Sequence, residues 1–197
     1  WPTVLTLGLA IFIGDIFRST SPQMICHENY RSISLAMLNH ESAYGQFPPA
    51  YTADADGKPM HSWRVAILQY LGRDDLHTAY NFDEPWDSPA NLKLVPKMPK
   101  VYQCPLHKHS GLTTYKIVIG PGSAFVDDQP PKFSDIPDGV HSTIMMIEDF
   151  ANPIPWTKPD DVSIEEAVDI LTAKNNRQSS DKCAHCLNLT WAKYHSG

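Results

Sequence analysis

The sequence predicts an α+β fold in which a long helix packs on an antiparallel β-sheet. The first half has the spacing of apolar residues that is typical of helices, and the second half has short β-branched runs between turns. All but two of the 17 prolines follow Gly45. Because proline interrupts helices, a long helix is expected only near the start of the chain. Helices followed by strands are the order typical of α+β domains.

The composition indicates one folded domain with a hydrophobic core. The chain has 197 residues, of which 42% are hydrophobic and 19% are charged. The 16 basic and 22 acidic residues give a net charge of −6. Since binding to a phosphate backbone relies on a basic surface, we expect no nucleic-acid partner.

Residues 1–22 are predicted to be a hydrophobic anchor or signal-like segment. The run from Val4 to Phe17 is apolar except for small residues, threonine and Asp15. It is shorter than the roughly 20 residues that cross a bilayer, so an anchor would need further apolar residues before Val4. The alternatives are a secretory signal peptide and a buried helix of a soluble domain. Asp15 disfavours a centred membrane span, because a carboxylate there is costly.

The first helix of the domain is predicted from about Gln23 to Tyr44, and Gly45 ends it. Its apolar residues recur at helical spacing, which predicts one buried face. The residues of this face are Ile25, Ile33, Met37 and Tyr44, with Leu35 and Leu38 beside them.

Two shorter helices are predicted after the Phe47-Pro48-Pro49 segment. One runs from Ser62 to Leu71 and ends at Gly72. The other is capped at Ser88, has Pro89 in its first turn and runs to Val95.

Three strands and a last helix follow. The strands are predicted at Val101–Cys104, Thr113–Ile119 and Thr143–Ile147, where β-branched residues lie between Pro, Gly or Asp. The last helix is expected to begin at Ser163, with Glu166 completing a capping box. We therefore expect the domain to span residues 23–173, followed by a polar tail over residues 174–197.

A chain of motifs from roughly Met24 to Asp161 resembles a large bacterial family with prepilin-type N-termini, domain of unknown function 1559. The resemblance implies a pilin-like architecture, in which an N-terminal hydrophobic helix anchors in the membrane and continues across an antiparallel sheet on the outer side. The family is similar to secretion pseudopilins and is also labelled a solute-binding protein. The motifs are NYRSISLAMLNHESAYGQFPP from Asn29, Ser62-Trp63-Arg64, YNFDEPWDSP from Tyr80, Tyr102-Gln103-Cys104-Pro105, GPGSAF from Gly120, Glu148 and Trp156-Thr157-Lys158-Pro159.

The chain departs from this family at both ends. A prepilin start normally carries a glutamate a few residues into its apolar helix, and none occurs from Val4 to Phe17. Family members usually end in a Gly-rich strand pair, whereas this chain ends SSDKCAHCLNLTWAKYHSG.

Cys26 and Cys104 are candidates for a disulfide bond. Cys26 lies at the start of the long helix and Cys104 at the end of a presumed strand. An extracytoplasmic location would allow the two thiols to oxidise. The alternative is two buried free thiols, since spacing alone does not fix cysteine connectivity.

A zinc site is a second possibility for the cysteines. Cys104, His107 and His109 have ligand-like spacing, and Cys183 and Cys186 form a C-x-x-C pair. The two groups together offer enough ligands for a tetrahedral site if they converge. A zinc site and a Cys26–Cys104 disulfide compete for Cys104, and no cofactor is expected unless zinc binds.

Trp63, Trp86 and Trp156 are candidates for a ligand groove. The alternative is that these side chains anchor the core and loops, as expected in a proline-rich domain with few long helices.

No catalytic residue is predicted. The sequence contains no G-x-S-x-G, H-E-x-x-H, phosphate-binding loop or dinucleotide motif. We therefore expect a non-enzymatic, pseudopilin-like protein, anchored in the membrane with its domain on the extracytoplasmic side, or exported. Its expected partners are the membrane and other pilin-like or secretion proteins. The alternative is an extracytoplasmic solute- or metal-binding protein.

Overall fold

The computed structural model describes residues 21–106, 109–136 and 143–176, with side chains up to residue 172. The fold is α+β, as predicted. Among these residues the helices are α1 (Pro22–Tyr44), α2 (Trp63–Ala66), α3 (Asp74–Ala79), α4 (Pro89–Leu92) and α5 (Ile164–Asn176). The strands are β1 (Tyr51–Ala53), β2 (Pro59–Ser62), β3 (Leu112–Thr113), β4 (Tyr115–Ile119), β5 (Met146–Glu148), β6 (Ile154–Pro155) and β7 (Val162–Ser163). Short 3₁₀ turns occur at Leu68–Leu71, Val95–Lys97, Lys100–Tyr102 and Phe133–Asp135.

The strands form small sheets. Strands β1 and β2 pair antiparallel, as do β3 and β6. The third sheet has the order β5-β4-β7, in which β5 is antiparallel to β4 and β7 is parallel to it. The parallel pair departs from the predicted antiparallel sheet. It is possible because more than forty residues separate β4 from β7, enough for a crossover connection.

The central sheet lies between two helical layers. Tyr115 and Ile117 of β4 belong to the larger core that includes α1, whereas Val118 belongs to a smaller cluster under α5. This alternation is expected, because successive side chains of a strand point to opposite faces. Helix α1 therefore covers one face of the sheet and α5 covers the other.

Local capping signals explain where the main helices begin and end. The Ser21 hydroxyl accepts a hydrogen bond from the Met24 N–H at 3.2 Å, and Gly45 ends α1 at φ 71°. In the predicted capping box, the Ser163 N–H donates to Glu166 Oε2 at 2.8 Å and the Glu166 N–H donates to Ser163 Oγ at 3.1 Å. These bonds satisfy N–H groups that have no partner inside a helix.

The buried face of α1 differs from the prediction. Ile33 and Met37 are buried as expected, but Ile25, Leu35 and Tyr44 are 38%, 49% and 59% exposed. The buried residues are Cys26, Asn29, Tyr30, Ile33, Ala36 and Met37. The face is rotated because small and polar residues make specific contacts with the rest of the domain, which hydrophobic periodicity does not detect.

The predicted strand at Val101–Cys104 was wrong. Residues Lys100–Tyr102 form a 3₁₀ turn, in which the Tyr102 N–H donates to the Pro99 carbonyl at 3.0 Å. The Tyr102 side chain is fully buried, and its hydroxyl donates to the Arg64 carbonyl at 2.8 Å. These contacts hold the segment as a turn beside α1 instead of adding it to a sheet. The helix predicted to reach Val95 is also shorter, since α4 ends at Leu92.

No helix within the described ranges is both long and apolar enough to cross a membrane. The predicted long hydrophobic helix is therefore not found in this part of the chain, where α1 carries charged and polar residues along its exposed side. The Val4–Phe17 segment lies outside the described residues.

Candidate functional site

The candidate site is a buried pair of cysteines that joins α1 to the segment after a 3₁₀ turn. Cys26 lies in the first part of α1, and Cys104 follows Lys100–Tyr102. The two Sγ atoms are 3.6 Å apart, and the residues are 0% and 1% exposed. The structure therefore brings together the two cysteines that the sequence identified as a possible disulfide, here with both side chains as thiols.

Glu148 is the third member of the site, and sequence reasoning missed it as a site residue. It is the last residue of β5 and is fully buried. A carboxylate oxygen of Glu148 and the two Sγ atoms all lie within 4.8 Å of one another. The sequence signals were a glutamate in an apolar stretch and its place among the family motifs. Strand alternation alone places such a residue on either face of a sheet.

Tyr115 and Asn29 form the wall of the site. Tyr115 is directly opposite Glu148 in the β4–β5 register, and its ring meets the ring of Tyr30 edge-on at 5.1 Å. The Asn29 side-chain amide donates to the Tyr115 hydroxyl at 3.2 Å and to the Gln103 carbonyl at 3.0 Å. This amide therefore connects α1 both to the sheet and to the residue before Cys104.

The environment keeps the thiol and the phenol protonated. The hydrogen bond with Cys26, followed by burial and the nearby Glu148 carboxylate, raises the pKa of Cys104 far above its usual range. Burial is the largest cause that raises the pKa of Tyr115, and Glu148 adds to it. Because the thiolate is the reactive form of cysteine, Cys104 has the character of a structural thiol, not of an activated nucleophile.

The zinc ligands suggested by the sequence are only partly within the described residues. His109 is exposed, whereas Cys104 is buried against Cys26 and Glu148, and His109 is not part of this ligand group. His107, Cys183 and Cys186 lie outside the described residues. The potential metal ligands that meet in this part of the chain are therefore Cys26, Cys104 and Glu148.

The three tryptophans do not form an open groove in this conformation. Trp63 is 1% exposed and Trp156 is 0% exposed, and both contact the ring of Tyr102, at centroid distances of 6.2 and 6.0 Å. Their indole N–H groups donate to Asp161 and to the Val95 carbonyl. Trp86 is half-buried on a separate loop. Trp63 and Trp156 are core anchors because their polar atoms are bonded inside the protein.

Below the tryptophans, a buried ion pair joins the start of α2 to the segment before β7. Arg64 Nη2 lies 2.7 Å from Asp161 Oδ1, with side-chain exposures of 0% and 3%. The guanidinium also donates to Ser62 Oγ and to the Tyr115 carbonyl, and it lies 4.6 Å from the centre of the Trp63 ring. These interactions hold the edge of β4 that faces away from β5. Their role is structural.

Comparison with known proteins places part of the chain in a described family. Residues 18–122, just over half of the chain, match the model of a family described as a protein of unknown function (DUF1559). This region includes Cys26, Cys104 and Tyr115, and it ends before Glu148. No curated protein and no solved structure matches the chain.

Proposed function

Because the chain belongs to the DUF1559 family of proteins of unknown function, we propose that it is a non-enzymatic, pseudopilin-like protein with a structural or interaction role. It is membrane-anchored with its domain on the extracytoplasmic side, or exported, and acts in a secretion or cell-surface setting. Its partners are the membrane and other pilin-like or secretion proteins.

The position of α1 is the observation that carries this proposal. Helix α1 begins at Pro22, and only Arg18 to Ser21 separate it from the apolar run Val4–Phe17. From there α1 runs along the sheet, where Tyr30 packs on Tyr115. A helix that follows an apolar segment and then covers a sheet has the arrangement expected of a pilin-like protein.

The exposed side of α1 supports an interaction role. Three large apolar residues on this side are exposed to solvent by 38% to 56%: Met24, Ile25 and Leu35. Surface apolar residues on one helix provide contact area for a neighbouring helix in an assembly.

Membrane fractionation of the full chain tests the anchor. We expect the protein in the membrane fraction, with release by detergent and not by high salt. The double variant Leu7→Lys/Ile11→Lys adds two charges to the apolar run and should shift the protein to the soluble fraction, because charges are costly in a bilayer. The matched control Met24→Lys/Leu35→Lys carries the same charges on the exposed side of α1 and should stay in the membrane fraction.

A protein that is fully soluble while intact mass shows Val4–Phe17 to be present would contradict the anchor. Protease added to intact cells tests the sidedness. The domain should be degraded without cell lysis if it is extracytoplasmic.

The alternative function, an extracytoplasmic solute- or metal-binding protein, is favoured by the meeting of Cys26, Cys104 and Glu148. Metal analysis of protein purified under reducing conditions tests it. Stoichiometric zinc that is lost in Cys26→Ser but kept in Cys183→Ser/Cys186→Ser would support a metal site at this cluster. Absence of zinc from the reduced wild-type protein would exclude a zinc site there.

A further inference from the structure

We propose that Cys26 and Cys104 form a disulfide bond in the mature protein, which fastens the beginning of α1 to the body of the domain beside the buried Glu148. The two sulfur atoms are already 3.6 Å apart. A disulfide needs about 2.05 Å, so the two side chains have to close a gap of about 1.5 Å between them. No other described cysteine competes for either partner.

Ligand number favours a disulfide over a bound metal at this cluster. A metal would require both thiols as thiolates together with the Glu148 carboxylate. Closed zinc sites have four protein ligands, whereas three groups meet within the described part of the chain. A disulfide is neutral and removes two titratable groups from the core.

The reaction is a thiol–disulfide exchange with an external disulfide, either a small molecule or an oxidoreductase. The thiolate of one cysteine attacks the external disulfide, forms a mixed disulfide and releases one external thiolate. The second cysteine then attacks the sulfur that is bonded to the first, and a second external thiolate leaves. The two protons lost by Cys26 and Cys104 end on the two released thiols, and the external disulfide takes up the two electrons.

Burial fixes when this reaction takes place and how long its product lasts. In the folded protein the sulfurs are shielded, and the raised pKa of Cys104 keeps the thiolate scarce. The bond therefore forms while the chain folds and resists reduction afterwards. Its position near the start of α1 stops the helix from separating from the domain when its N-terminal end is pulled.

The location of this bond rests on the proposed function, because a protein disulfide persists only in an oxidising compartment. Two experiments separate the two questions. The first is performed on purified full-length Cys183→Ser/Cys186→Ser protein, which retains only Cys26 and Cys104 as cysteines. The reduced and denatured protein is refolded with a mixture of reduced and oxidised glutathione.

We expect an intact mass lower by two hydrogen atoms and a proteolytic peptide pair that contains Cys26 and Cys104. Amide exchange in the first turns of α1 should be at least tenfold slower in this form than in the reduced form. Two free thiols, or stable glutathione adducts on both cysteines, would overturn the disulfide irrespective of where the protein is located.

The second experiment alkylates the wild-type protein in intact cells before lysis and maps the modified cysteines. Protection of Cys26 and Cys104 until a reductant is added to the denatured protein supports the bond in the cell. If both cysteines are alkylated in the denatured protein without reductant, although the purified protein oxidises, the extracytoplasmic location fails and the disulfide in the cell fails with it.

Discussion

Two Arg–Asp pairs in this protein differ in their importance for stability, because one is buried and the other is at the surface. Arg64 is fully buried and its charge is matched by Asp161, while Arg73 pairs with Asp75 at the surface. Burial is the largest cause that raises the pKa of Asp161, in spite of the guanidinium beside it. By contrast, the hydrogen bond from Arg73 lowers the pKa of Asp75 to about 2. The same pair of residue types is therefore structural at one position and peripheral at the other.

Replacing Arg64 with methionine is expected to destabilise the protein by about 3–5 kcal/mol, because it leaves the Asp161 carboxylate buried without its cation. Part of this cost is avoided if Asp161 takes up a proton, so the loss should be smaller at low pH. Urea unfolding of wild-type and variant proteins measures it.

The control for this prediction is Arg73→Met, which removes an exposed partner and should change stability far less, since water screens the surface pair. The double variant Arg64→Met/Asp161→Asn should be more stable than Arg64→Met alone. Equal effects of Arg64→Met and Arg73→Met would contradict the structural role of the buried pair.

His61 links stability to pH. Its Nε2 lies 3.0 Å from the Phe82 carbonyl, which can only accept, so Nε2 carries the proton and Nδ1 accepts from the Tyr80 hydroxyl at 3.0 Å. Burial lowers the pKa of His61 below its usual value of 6.5. The unfolded chain therefore binds a proton at a pH where the folded protein does not, and stability falls as pH falls below about 6.5.

We expect the free energy of unfolding of His61→Gln to depend less on pH than that of the wild type between about pH 7 and 5. Urea titrations at a series of pH values measure the two slopes. Identical slopes would show that His61 does not contribute to the pH dependence.

At the scale of elements, two glycines are required for different reasons, one at the end of a helix and one where two segments lie close together. Gly45 has φ 71° and no atom within 4 Å of the position that a Cβ would take. Gly111 has φ 74°, but its Cβ would lie 2.7 Å from the Val95 carbonyl oxygen and 2.7 Å from the Val95 side chain. The carbonyl of Gly111 also accepts a hydrogen bond from the backbone N–H of Trp156 at 3.1 Å. The first glycine is needed for its backbone angles and the second also for space.

Alanine at Gly45 should cost about 1 kcal/mol, from the left-handed backbone conformation alone. Alanine at Gly111 should cost roughly 1–3 kcal/mol more, because the chain has to move away from Val95. Denaturant unfolding of the two variants provides the comparison, with Gly45→Ala as the control for Gly111→Ala. If Gly45→Ala costs as much stability as Gly111→Ala, lack of space beside Val95 is not what makes Gly111 necessary.

At the scale of the whole molecule, the cysteine pair joins segments that are 78 residues apart in the chain. Asn29, Tyr115 and Glu148 lie around the same point, so α1, the turn segment and the central sheet all meet there. A covalent link at this junction restricts the unfolded chain more than a link between neighbouring elements would.

Oxidation of Cys26 and Cys104 is expected to stabilise the protein by about 2–4 kcal/mol, since it closes a long loop in the unfolded state. The measurement is urea unfolding of the oxidised and reduced forms of Cys183→Ser/Cys186→Ser. The same comparison in a Cys26→Ala variant controls for effects of the reductant and should show no difference. An oxidised form no more stable than the reduced form would show that the bond strains the native structure.

The sequence predicted the features that depend on neighbouring residues. Gly45 and Gly72 end their helical segments with left-handed backbone angles, and the Ser163–Glu166 capping box is formed. The predicted strand at residues 113–119 is divided at Thr114, and its two parts pair with different partners. That division was not predictable, because pairing depends on segments that are distant in the chain.

By itself, the sequence determined the α+β class and the two ends of α1, because caps, turns and apolar spacing act within a few residues. Its motifs also indicated the family. Only the tertiary structure decided which face of α1 is buried and that Val101–Cys104 is not a strand. It also decided that Cys26, Cys104 and Glu148 meet and that Arg64 pairs with Asp161. These outcomes depend on register and packing between segments that are distant in the chain, and local sequence patterns do not report the free energy of that packing.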